Sequence, residues 1–270
     1  MPELPEVEII VRGLRGALIG RTITGVRVDW PRSLATHSVD GLRTELVGQR
    51  IEGLRRRAKY LIVDLSGGGA LLIHLRMTGQ LSVVPADRPS GPYDRVTFDL
   101  DNGQQLRFSD RRKLGRLYLV PDADGVVGML GPEPLSEAFT PAVLRERLAG
   151  RSRQLKPLLL DQTFIAGVGN IYANEALWLA GLSPWRRSDT LTEAEAERLY
   201  QGITEALKRG LAHGGTTIDA YRQADGSIGS YQEAFLVHGR ADQPCPRCGT
   251  PIRRTVIGQR SAYYCPNCQT

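Results

Sequence analysis

Three residues at the start of the chain, Pro2, Glu3 and Glu6, are of the types that nucleophilic and proton-transfer chemistry requires. Because a small residue follows the initiator methionine, we expect Met1 to be removed, so that Pro2 carries the α-amino group. That group titrates near ~8, and a useful fraction is therefore an unprotonated nucleophile at neutral pH. A secondary amine that attacks a sugar C1′ goes on to a cationic iminium, an electron sink for elimination. The two carboxylates are candidate proton carriers.

The same stretch also has a purely structural interpretation. Pro5 in a first helical turn, with acidic residues near the amino end, is ordinary helix-start chemistry. This stretch taken alone does not separate a helix cap from an N-terminal nucleophile, and the choice depends on the rest of the chain.

The four cysteines form two C-x-x-C pairs near the carboxyl end, Cys245 with Cys248 and Cys265 with Cys268, separated by sixteen residues. This spacing is typical of four thiolates around one tetrahedral zinc ion. Disulfides are the alternative, and they are disfavoured in a reducing compartment. Because four thiolates leave no open position for water, we predict one structural Zn²⁺.

The zinc ion would fold a short hairpin over residues 252–264, from which Arg253, Arg254 and Arg260 project. Solvent-facing arginines are common on any surface, so exposure alone implies no function. Phosphate contact is the functional interpretation, and Arg260, between the two cysteine pairs, is the favoured candidate.

A glycine-rich turn, Gly167-Val168-Gly169-Asn170, precedes an apolar helical pattern. Glycines at a helix start let backbone N–H groups approach an anion, and the helix amino end adds a partial positive charge. Asn170 and the upstream Lys156 strengthen a phosphate-binding interpretation. A plain corner between two helices is the alternative, since a G-x-G turn is a weak signal by itself.

Two further motifs follow predicted strands. Met77 comes after one strand, and Arg112 and Leu114 come after another, so we expect all three at loop tips. Apolar side chains beside arginine suit a wedge that unstacks a base pair and fills its space. Core packing is the alternative for a methionine at a strand end.

The composition is that of a globular chain with a basic excess, 35 Lys+Arg against 29 Asp+Glu, for a net charge of +6. No run approaches the roughly 18 apolar residues of a membrane span, and no targeting segment opens the chain. We therefore expect a cytoplasmic protein with no membrane association. Basic residues cluster at 55–59, 111–116 and 247–260, which favours a nucleic-acid partner.

Apolar periodicity predicts a helix over residues 5–18, which would pack on a core and hold Pro2 at the surface. Seven strand-like runs and a second helix at 39–46 follow, and turn-type segments at 66–69 and 101–103 join two pairs of runs. The predicted strands are 23–28, 51–57, 60–65, 70–75, 95–100, 104–108 and 116–120. This pattern predicts an antiparallel β-sandwich or barrel edged by helices.

The second half of the chain is helical. The proline-rich segment 131–135 marks a boundary, and helices are predicted at 142–148, at 171–179 and from a capping box at Thr192 to about 212. Residues 214–236 are rich in Gly, Ser, Gln and Asp, so we predict a long surface loop there.

Together these motifs resemble those of the bacterial formamidopyrimidine-DNA glycosylases, in the wider group that includes endonuclease VIII. The similarity runs in order through PELPEVE (2–8), RAKY (57–60), HLRMTG (74–79), LGPEPL (130–135), KPLLLDQ (156–162), GVGNIYANE (167–175) and the zinc finger. It implies an α+β multidomain fold in three parts. These are an N-terminal catalytic antiparallel β-sandwich domain with flanking helices (1–131), a helix-two-turn-helix DNA-binding domain with a lesion-recognition loop (132–236), and a C-terminal zinc-ribbon finger (237–270).

The resemblance also implies a bifunctional DNA glycosylase and AP lyase of base excision repair. It would act as a monomer, at the bacterial nucleoid, on double-stranded DNA that contains oxidised bases or abasic sites. Pro2 would expel an oxidised purine (8-oxoguanine or a formamidopyrimidine) through a Schiff base, with strand cleavage by β,δ-elimination. Glu3 would assist protonation and ring opening, and Glu6 would order the site. Lys59, Asn170 and Arg260 would hold the phosphates that flank the lesion. Further DNA contacts are implied for His74, Met77, Arg112, Leu114, Lys156, Gly169, Asn170, Tyr172 and Arg254.

One position departs from the family pattern. Residue 114 is Leu, where the family commonly carries Phe. An aliphatic wedge still unstacks bases, but it lacks the aromatic stacking worth roughly 1–3 kcal/mol per base. We therefore expect activity to survive with weaker lesion interrogation.

Two alternatives remain open. The first is an endonuclease-VIII-like glycosylase for oxidised pyrimidines; the Leu4-Pro5 start and the loop from Gly215 to Tyr231 favour the purine branch instead. The second is a non-catalytic zinc-ribbon protein that binds DNA in a salt-dependent manner without strand scission. That alternative leaves the amino-terminal proline and its carboxylates unexplained.

Overall fold

The computed structural model describes residues 1–217 and 228–270, and the chain divides into two units. The first unit contains residues 1–129 and the described part of 214–230, and the second contains 130–213 and 231–270. Most of the predicted lesion-recognition loop falls on residues 218–227, outside the described residues. Among the helices described, none is long and apolar enough to cross a membrane.

The first unit contains two antiparallel sheets of four strands each, as predicted for this half of the chain. Their orders are β1-β6-β7-β5 and β2-β3-β4-β8. The strands are β1 (Ile23–Val28), β2 (Ile51–Arg57), β3 (Tyr60–Leu65), β4 (Ala70–His74), β5 (Gly79–Pro85), β6 (Asp94–Leu100), β7 (Gln104–Asp110) and β8 (Arg116–Val120). The two predicted hairpin turns join β3 to β4 and β6 to β7.

Strand β5 was absent from the predicted set. It begins with Gly79 and ends with Pro85, and both residue types are depleted in strands. The strand forms because it pairs with β7 along its whole length, from Gly79 opposite Asp110 to Pro85 opposite Gln104. It lies at the end of its sheet, where a proline is tolerated.

Helices α1 (Leu4–Leu18), α2 (Val39–Leu46) and α3 (Asp124–Val127) accompany the sheets. The apolar stripe of α1 shares one core with both sheets, where Leu14 is 1% exposed and Phe98 and Phe108 are equally buried. Burying side chains of this size contributes about 1.5–3 kcal/mol each. This core therefore fixes the helix that begins two residues after Pro2.

The second unit is helical, with α4 (Pro141–Leu148), α5 (Leu155–Leu160), α6 (Asn170–Ala180) and α7 (Glu193–Ala212). Thr140 caps α4, and Thr192 caps α7 in the predicted capping box, whose partner is Glu195. Gly202 lets α6 and α7 approach closely, because a Cβ there would lie 2.5 Å from the Ala176 carbonyl oxygen. Helix α5 was not predicted, since six residues give too little periodicity.

The prediction of a surface loop over 214–236 is wrong at both ends. Thr216 is 5% exposed, and Tyr231 is fully buried at the start of a 3₁₀ helix, Tyr231–Ala234. Tyr231 stacks on Tyr172 with the ring centroids 5.5 Å apart and the planes at 6°. Aromatic packing of this kind joins residues far apart in sequence, and local composition does not reveal it.

Candidate functional site

The amino end of α1 is buried, with Glu3 2% and Glu6 1% exposed. Pro2 is buried as well, whereas we expected it at the surface. A later segment packs on the first two turns of α1: a Cβ on Gly215 would lie 3.1 Å from Glu6 Cγ and 3.4 Å from Ile9 Cδ1. Burial of Pro2, Glu3 and Glu6 together places this end of the chain inside the first unit.

Glu3 and Glu6 form a reciprocal capping box at the start of α1. Glu6 accepts the Glu3 backbone N–H at Oε2 (2.9 Å) and the Thr216 backbone N–H at Oε1 (2.8 Å). Both carboxylate oxygens of Glu6 thus hold backbone groups, one near Pro2 and one at the start of the 215–217 segment. This geometry gives Glu6 an ordering role and keeps Glu3 beside Pro2. The structural interpretation of this stretch as a helix cap is therefore confirmed, and the cap leaves the proposed chemistry of Pro2 and Glu3 as a prediction.

The ends of the 214–230 segment are closed against each other. Thr216 pairs with Ser230 as an antiparallel bridge, and Gly229 donates its N–H to Thr217 Oγ1 (2.8 Å). Gly215 has a φ of +79°, which favours glycine. A Cβ on Gly229 would lie 2.2 Å from the Gly215 carbonyl oxygen, so only glycine fits there too. Through Thr216, this closed base is joined to Glu6.

Lys59 lies in the two-residue turn between β2 and β3 and is 5% exposed. The turn requires a positive φ at Ala58, which is +53°. Arg56 ties the turn to α1, since its Nε lies 2.9 Å from Glu8 Oε2 and its Nη1 donates to the Ala58 carbonyl. The partly buried ion pair between Arg56 and Glu8 thus fixes the turn that carries Lys59 to α1, the helix that follows Pro2.

His74 is 7% exposed at the end of β4. Its Nδ1 accepts the Arg76 backbone N–H at 3.0 Å, and its ring meets the Tyr60 ring edge-on at 4.7 Å. Burial first, and then the charges of Arg76 and Lys59, lower the pKa of His74 to about 3. The ring is therefore neutral at physiological pH and supports the turn that leads to Met77.

Replacing His74 with Gln is expected to make the first unit less sensitive to acid. An unfolded histidine titrates near ~6.5, so its neutral folded form contributes stability that is complete above that pH and is lost as the pH falls towards the folded pKa. The loss amounts to about 2 kcal/mol at about pH 5. Gln accepts the Arg76 N–H but takes up no proton. Urea unfolding at about pH 7.5 and about pH 5 measures the effect; an unchanged pH dependence would contradict the assignment.

The wedge candidates lie in two turns of the first unit, as predicted. Met77 is 38% exposed between β4 and β5, and Leu114 is 39% exposed between β7 and β8. Arg112 is exposed in the same turn as Leu114. Core packing is therefore wrong for Met77, because its side chain is on the surface.

In the second unit, the glycine-rich turn leads directly into α6. Gly167 has a φ of +81°, and Gly169 is the extended residue before Asn170, the first residue of the helix. The Gln162 side chain holds this turn by accepting the Gly167 N–H (3.0 Å) and donating to the Val168 carbonyl (2.8 Å). These two hydrogen bonds fix the conformation of the turn and therefore the position of the amino end of α6.

Two of the predicted DNA-contact residues are fully buried within the second unit, Lys156 and Tyr172. The Lys156 ammonium donates to Asn174 Oδ1 and to the Ser261 carbonyl oxygen (3.0 Å), the latter directly after Arg260. Tyr172 packs against Gly210, where a Cβ would lie 2.3 Å from the phenol oxygen. Both side chains therefore stabilise elements of the second unit from inside: Lys156 the zinc-finger hairpin, and Tyr172 the packing on α7.

Sequence reasoning missed Asn174 and Glu175, although they end the 167–175 motif. The Glu175 carboxylate, fully buried, accepts three consecutive backbone N–H groups, those of Leu236, Val237 and His238, at 2.8–3.0 Å. Asn174 Nδ2 lies 2.7 Å from His238 Nδ1. These two residues attach the segment before the zinc finger to α6.

The four cysteines lie together, with all four Sγ atoms within 4.8 Å of one another. This cluster can bind one zinc ion, and its thiolates fit a closed tetrahedral site. Trp178 Nε1 donates to Cys245 Sγ at 3.3 Å, and Arg247 stacks over the Trp178 ring at 4.2 Å. Helix α6 therefore supplies an outer hydrogen bond to the metal site.

The zinc finger carries the predicted hairpin, β9 (Arg253–Ile257) and β10 (Arg260–Tyr264). Gly258 and Gln259 join the strands with φ of +56° and +64°, as a type I′ turn requires. Arg254 and Arg260 are exposed, and Arg260 directly follows the turn. The hairpin thus presents three exposed arginines, Arg253 among them, from a rigid scaffold, and the buried Lys156 ammonium holds the Ser261 carbonyl beneath it.

Three family models match the chain. The formamidopyrimidine-DNA glycosylase N-terminal domain matches residues 1–117, the H2TH domain of the same glycosylase matches 130–222, and a zinc finger found in FPG and IleRS matches 242–270. Among curated relatives, the formamidopyrimidine-DNA glycosylase of Herpetosiphon aurantiacus is 45% identical over the full length of both chains. That of Chloroflexus aggregans is 47% identical, covering 100% of this chain and 98% of the relative.

Solved structures of formamidopyrimidine-DNA glycosylases are also similar to this chain. A mutant FPG of Lactococcus lactis in complex with DNA containing Fapy-dG is 36% identical, with a TM-score of 0.93 and full coverage of both chains. The MutM (FPG) protein of Thermus thermophilus is 42% identical, with a TM-score of 0.89 and coverage of 99% and 98%. With matches of this extent in sequence and in structure, the chain belongs to the formamidopyrimidine-DNA glycosylase family.

Proposed function

We infer that this chain is a DNA glycosylase with AP-lyase activity, which excises oxidised purines from double-stranded DNA and cleaves the strand. The observation that carries the proposal is the buried amino end of the first unit, where Pro2 is followed by two ordered carboxylates, Glu3 and Glu6. Family membership supports the substrate class, since related FPG and MutM structures hold DNA with Fapy-dG, carbocyclic 8-oxo-G or an abasic site.

The proposed chemistry begins once Met1 has been removed. The Pro2 nitrogen attacks C1′, the bond from C1′ to the base breaks, and the base leaves with the electron pair and takes up a proton. The attached nitrogen then loses its proton, and opening of the C1′–O4′ bond gives a cationic iminium while O4′ takes up a proton. Loss of a proton from C2′ expels the 3′ phosphate, and a second elimination expels the 5′ phosphate. We assign proton transfer at the sugar and leaving group to Glu3 and orientation of the site to Glu6.

We propose that each unit supplies its own phosphate contacts. From the first unit, Lys59 would contact a DNA phosphate. From the second unit, Asn170 and Arg260 would do so, with a backbone contact from Gly169 and a charge contact from Arg254. Lys156 would act through the zinc-finger hairpin, because its ammonium binds the Ser261 carbonyl next to Arg260. Tyr172 and His74 would likewise support the surfaces that touch DNA, from buried positions.

We propose that Met77, Arg112 and Leu114 form the wedge that fills the space of an everted base. Replacing Leu114 with Phe is expected to improve discrimination between damaged and undamaged DNA, since aromatic stacking adds roughly 1–3 kcal/mol per base. The position is 39% exposed, so the larger ring meets no packed core. Single-turnover excision in the presence of undamaged competitor duplex measures the gain. Leu114→Ala, as the matched control, should lose discrimination, and an unchanged Phe variant would refute the wedge role of this position.

Substrate class is tested by comparing cleavage of an 8-oxoguanine:C duplex with that of a thymine-glycol:A duplex. Faster cleavage of the purine lesion supports the proposal, and faster cleavage of the pyrimidine lesion favours an endonuclease-VIII-like enzyme. Salt-dependent binding of both duplexes without any scission would instead identify a DNA-binding protein that lacks catalysis. An undamaged duplex of the same sequence is the control.

The setting of the reaction follows from the substrate. We propose that the protein acts as a monomer on chromosomal DNA in the bacterial cytoplasm, consistent with its bacterial relatives. We keep the three-part division at 1–131, 132–236 and 237–270 as a proposal for how catalysis, DNA binding and zinc binding are distributed.

A further inference from the structure

Asp110, the last residue of β7, is a buried carboxylate that the reaction scheme above does not use. It is 1% exposed. Its Oδ2 accepts the backbone N–H groups of Leu114 and Gly115, each at 2.7 Å, and its Oδ1 accepts that of Arg112 at 3.1 Å. One carboxylate therefore binds three backbone groups of the turn that carries two of the wedge candidates.

The same carboxylate also holds the other wedge turn. Thr78, the residue after Met77, donates its hydroxyl to Asp110 Oδ1 and accepts the Arg112 N–H at 3.1 Å. Gly79 pairs with Asp110 in the β5–β7 register. The Met77 turn and the Arg112–Leu114 turn are thus joined through Asp110 and the Thr78 hydroxyl.

Two further features keep the second turn in this conformation. A Cβ on Gly115 would lie 2.3 Å from Phe108 Cζ and 3.3 Å from Asp110 Oδ2, so the position requires glycine. Lys113 has a φ of +59°, and its ammonium lies 4.1 Å from the centre of the Trp30 ring. A cation over an aromatic face is attractive, and it restrains the outer part of the turn.

We propose that Asp110 is a positioning residue for base-pair opening: it holds both wedge turns in one arrangement before DNA is bound. The inference rests on the wedge role proposed above for Met77, Arg112 and Leu114. Backbone N–H groups bonded to a charged acceptor are strongly held, so the wedge meets the duplex already ordered. Asp110 touches neither the sugar nor the base, and its effect falls on the opening step.

The test compares a step that requires base-pair opening with one that does not. Asp110→Asn retains one acceptor oxygen and loses the charge. We expect its single-turnover excision of 8-oxoguanine opposite cytosine to fall on the order of 100-fold, as for other small displacements of positioned groups. Borohydride trapping on a preformed abasic site, where no base has to leave the stack, should fall by less than about threefold. A 2-aminopurine next to the lesion should lose its fluorescence rise, because the fluorophore reports unstacking.

Asp122→Asn is the matched control, because Asp122 also accepts a backbone N–H, that of Asp124, in an exposed turn. It should leave all three readouts unchanged. Thr78→Val is the second variant, and it tests the same network if Asp110→Asn fails to fold. It removes only the hydroxyl that joins the turns, and we expect the same pattern with a smaller loss.

Equal losses in excision and trapping by a folded variant would overturn the proposal, and so would unchanged excision. These outcomes differ from failure of the proposed function, in which the unmodified protein itself would neither excise 8-oxoguanine nor form the adduct. A double variant of Asp110 and Thr78 that is no worse than Asp110→Asn alone would show that both residues act in one network.

Discussion

A protein that retains Met1 will form no covalent adduct with damaged DNA, whereas the processed protein will be trapped by borohydride on an 8-oxoguanine:C duplex. The reason is chemical: in the unprocessed chain the Pro2 nitrogen is part of a peptide bond and has no nucleophilic electron pair. Loss of the nucleophile removes a covalent route that contributes many orders of magnitude, so we expect residual activity below about one part in a thousand.

The measurement is denaturing electrophoresis of the trapped complex, with the N-terminal residue of each preparation established by mass spectrometry. Pro2→Gly is the matched control, since glycine still presents an amine once Met1 is gone, and it should be impaired but trappable. Glu3→Gln should slow the reaction while leaving the amine in place. An adduct from the Met1-retaining protein would place the nucleophile on another amine, the Met1 α-amino group or a lysine, and refute the assignment to Pro2.

Removing zinc will strongly weaken DNA binding by unfolding the finger that carries Arg254 and Arg260. The local core is small and itself includes two ligands, Cys245 and Cys265, packed with Trp178. In modules of this size metal binding supplies about 10–16 kcal/mol of folding free energy, which so few buried side chains do not replace. Loss of two charge-assisted phosphate contacts, each about 1.5–3 kcal/mol, weakens binding on the order of 100-fold or more.

Chelation and Cys265→Ser both test this expectation, with zinc content, DNA affinity at fixed salt and tryptophan fluorescence as readouts. Zinc added back should restore the chelated protein and leave the serine variant unrestored. Trp178→Phe removes the N–H bond to Cys245 Sγ and shortens the ring that packs on Arg247 and the finger core, so it should release zinc faster while still binding DNA. Full affinity in protein shown to be free of zinc would contradict a structural role for the ion.

Much of the fold could be predicted because its signals are local. The capping box at Thr192 and the boundaries of β1, β2, β3 and β8 depend on residues within a few positions of one another. The zinc ligands are equally local, since two C-x-x-C pairs leave one compact way to surround an ion, and the finger contains them within 4.8 Å. Strand β5 could not be found in this way, because its pairing with β7 overrides its own composition.

The same distinction between local and long-range signals applies to the residues of the candidate site. By itself the sequence determined which residue types stand at the amino end, in the glycine-rich turn and at the wedge tips, since these are short contiguous motifs. Only the tertiary structure decided that Pro2, Lys156 and Tyr172 are buried and that Asp110 joins two turns. Burial and shared hydrogen bonds depend on contacts between segments tens or hundreds of residues apart, such as Glu6 with Thr216. Such contacts exist only when the chain is folded, and no local pattern encodes them.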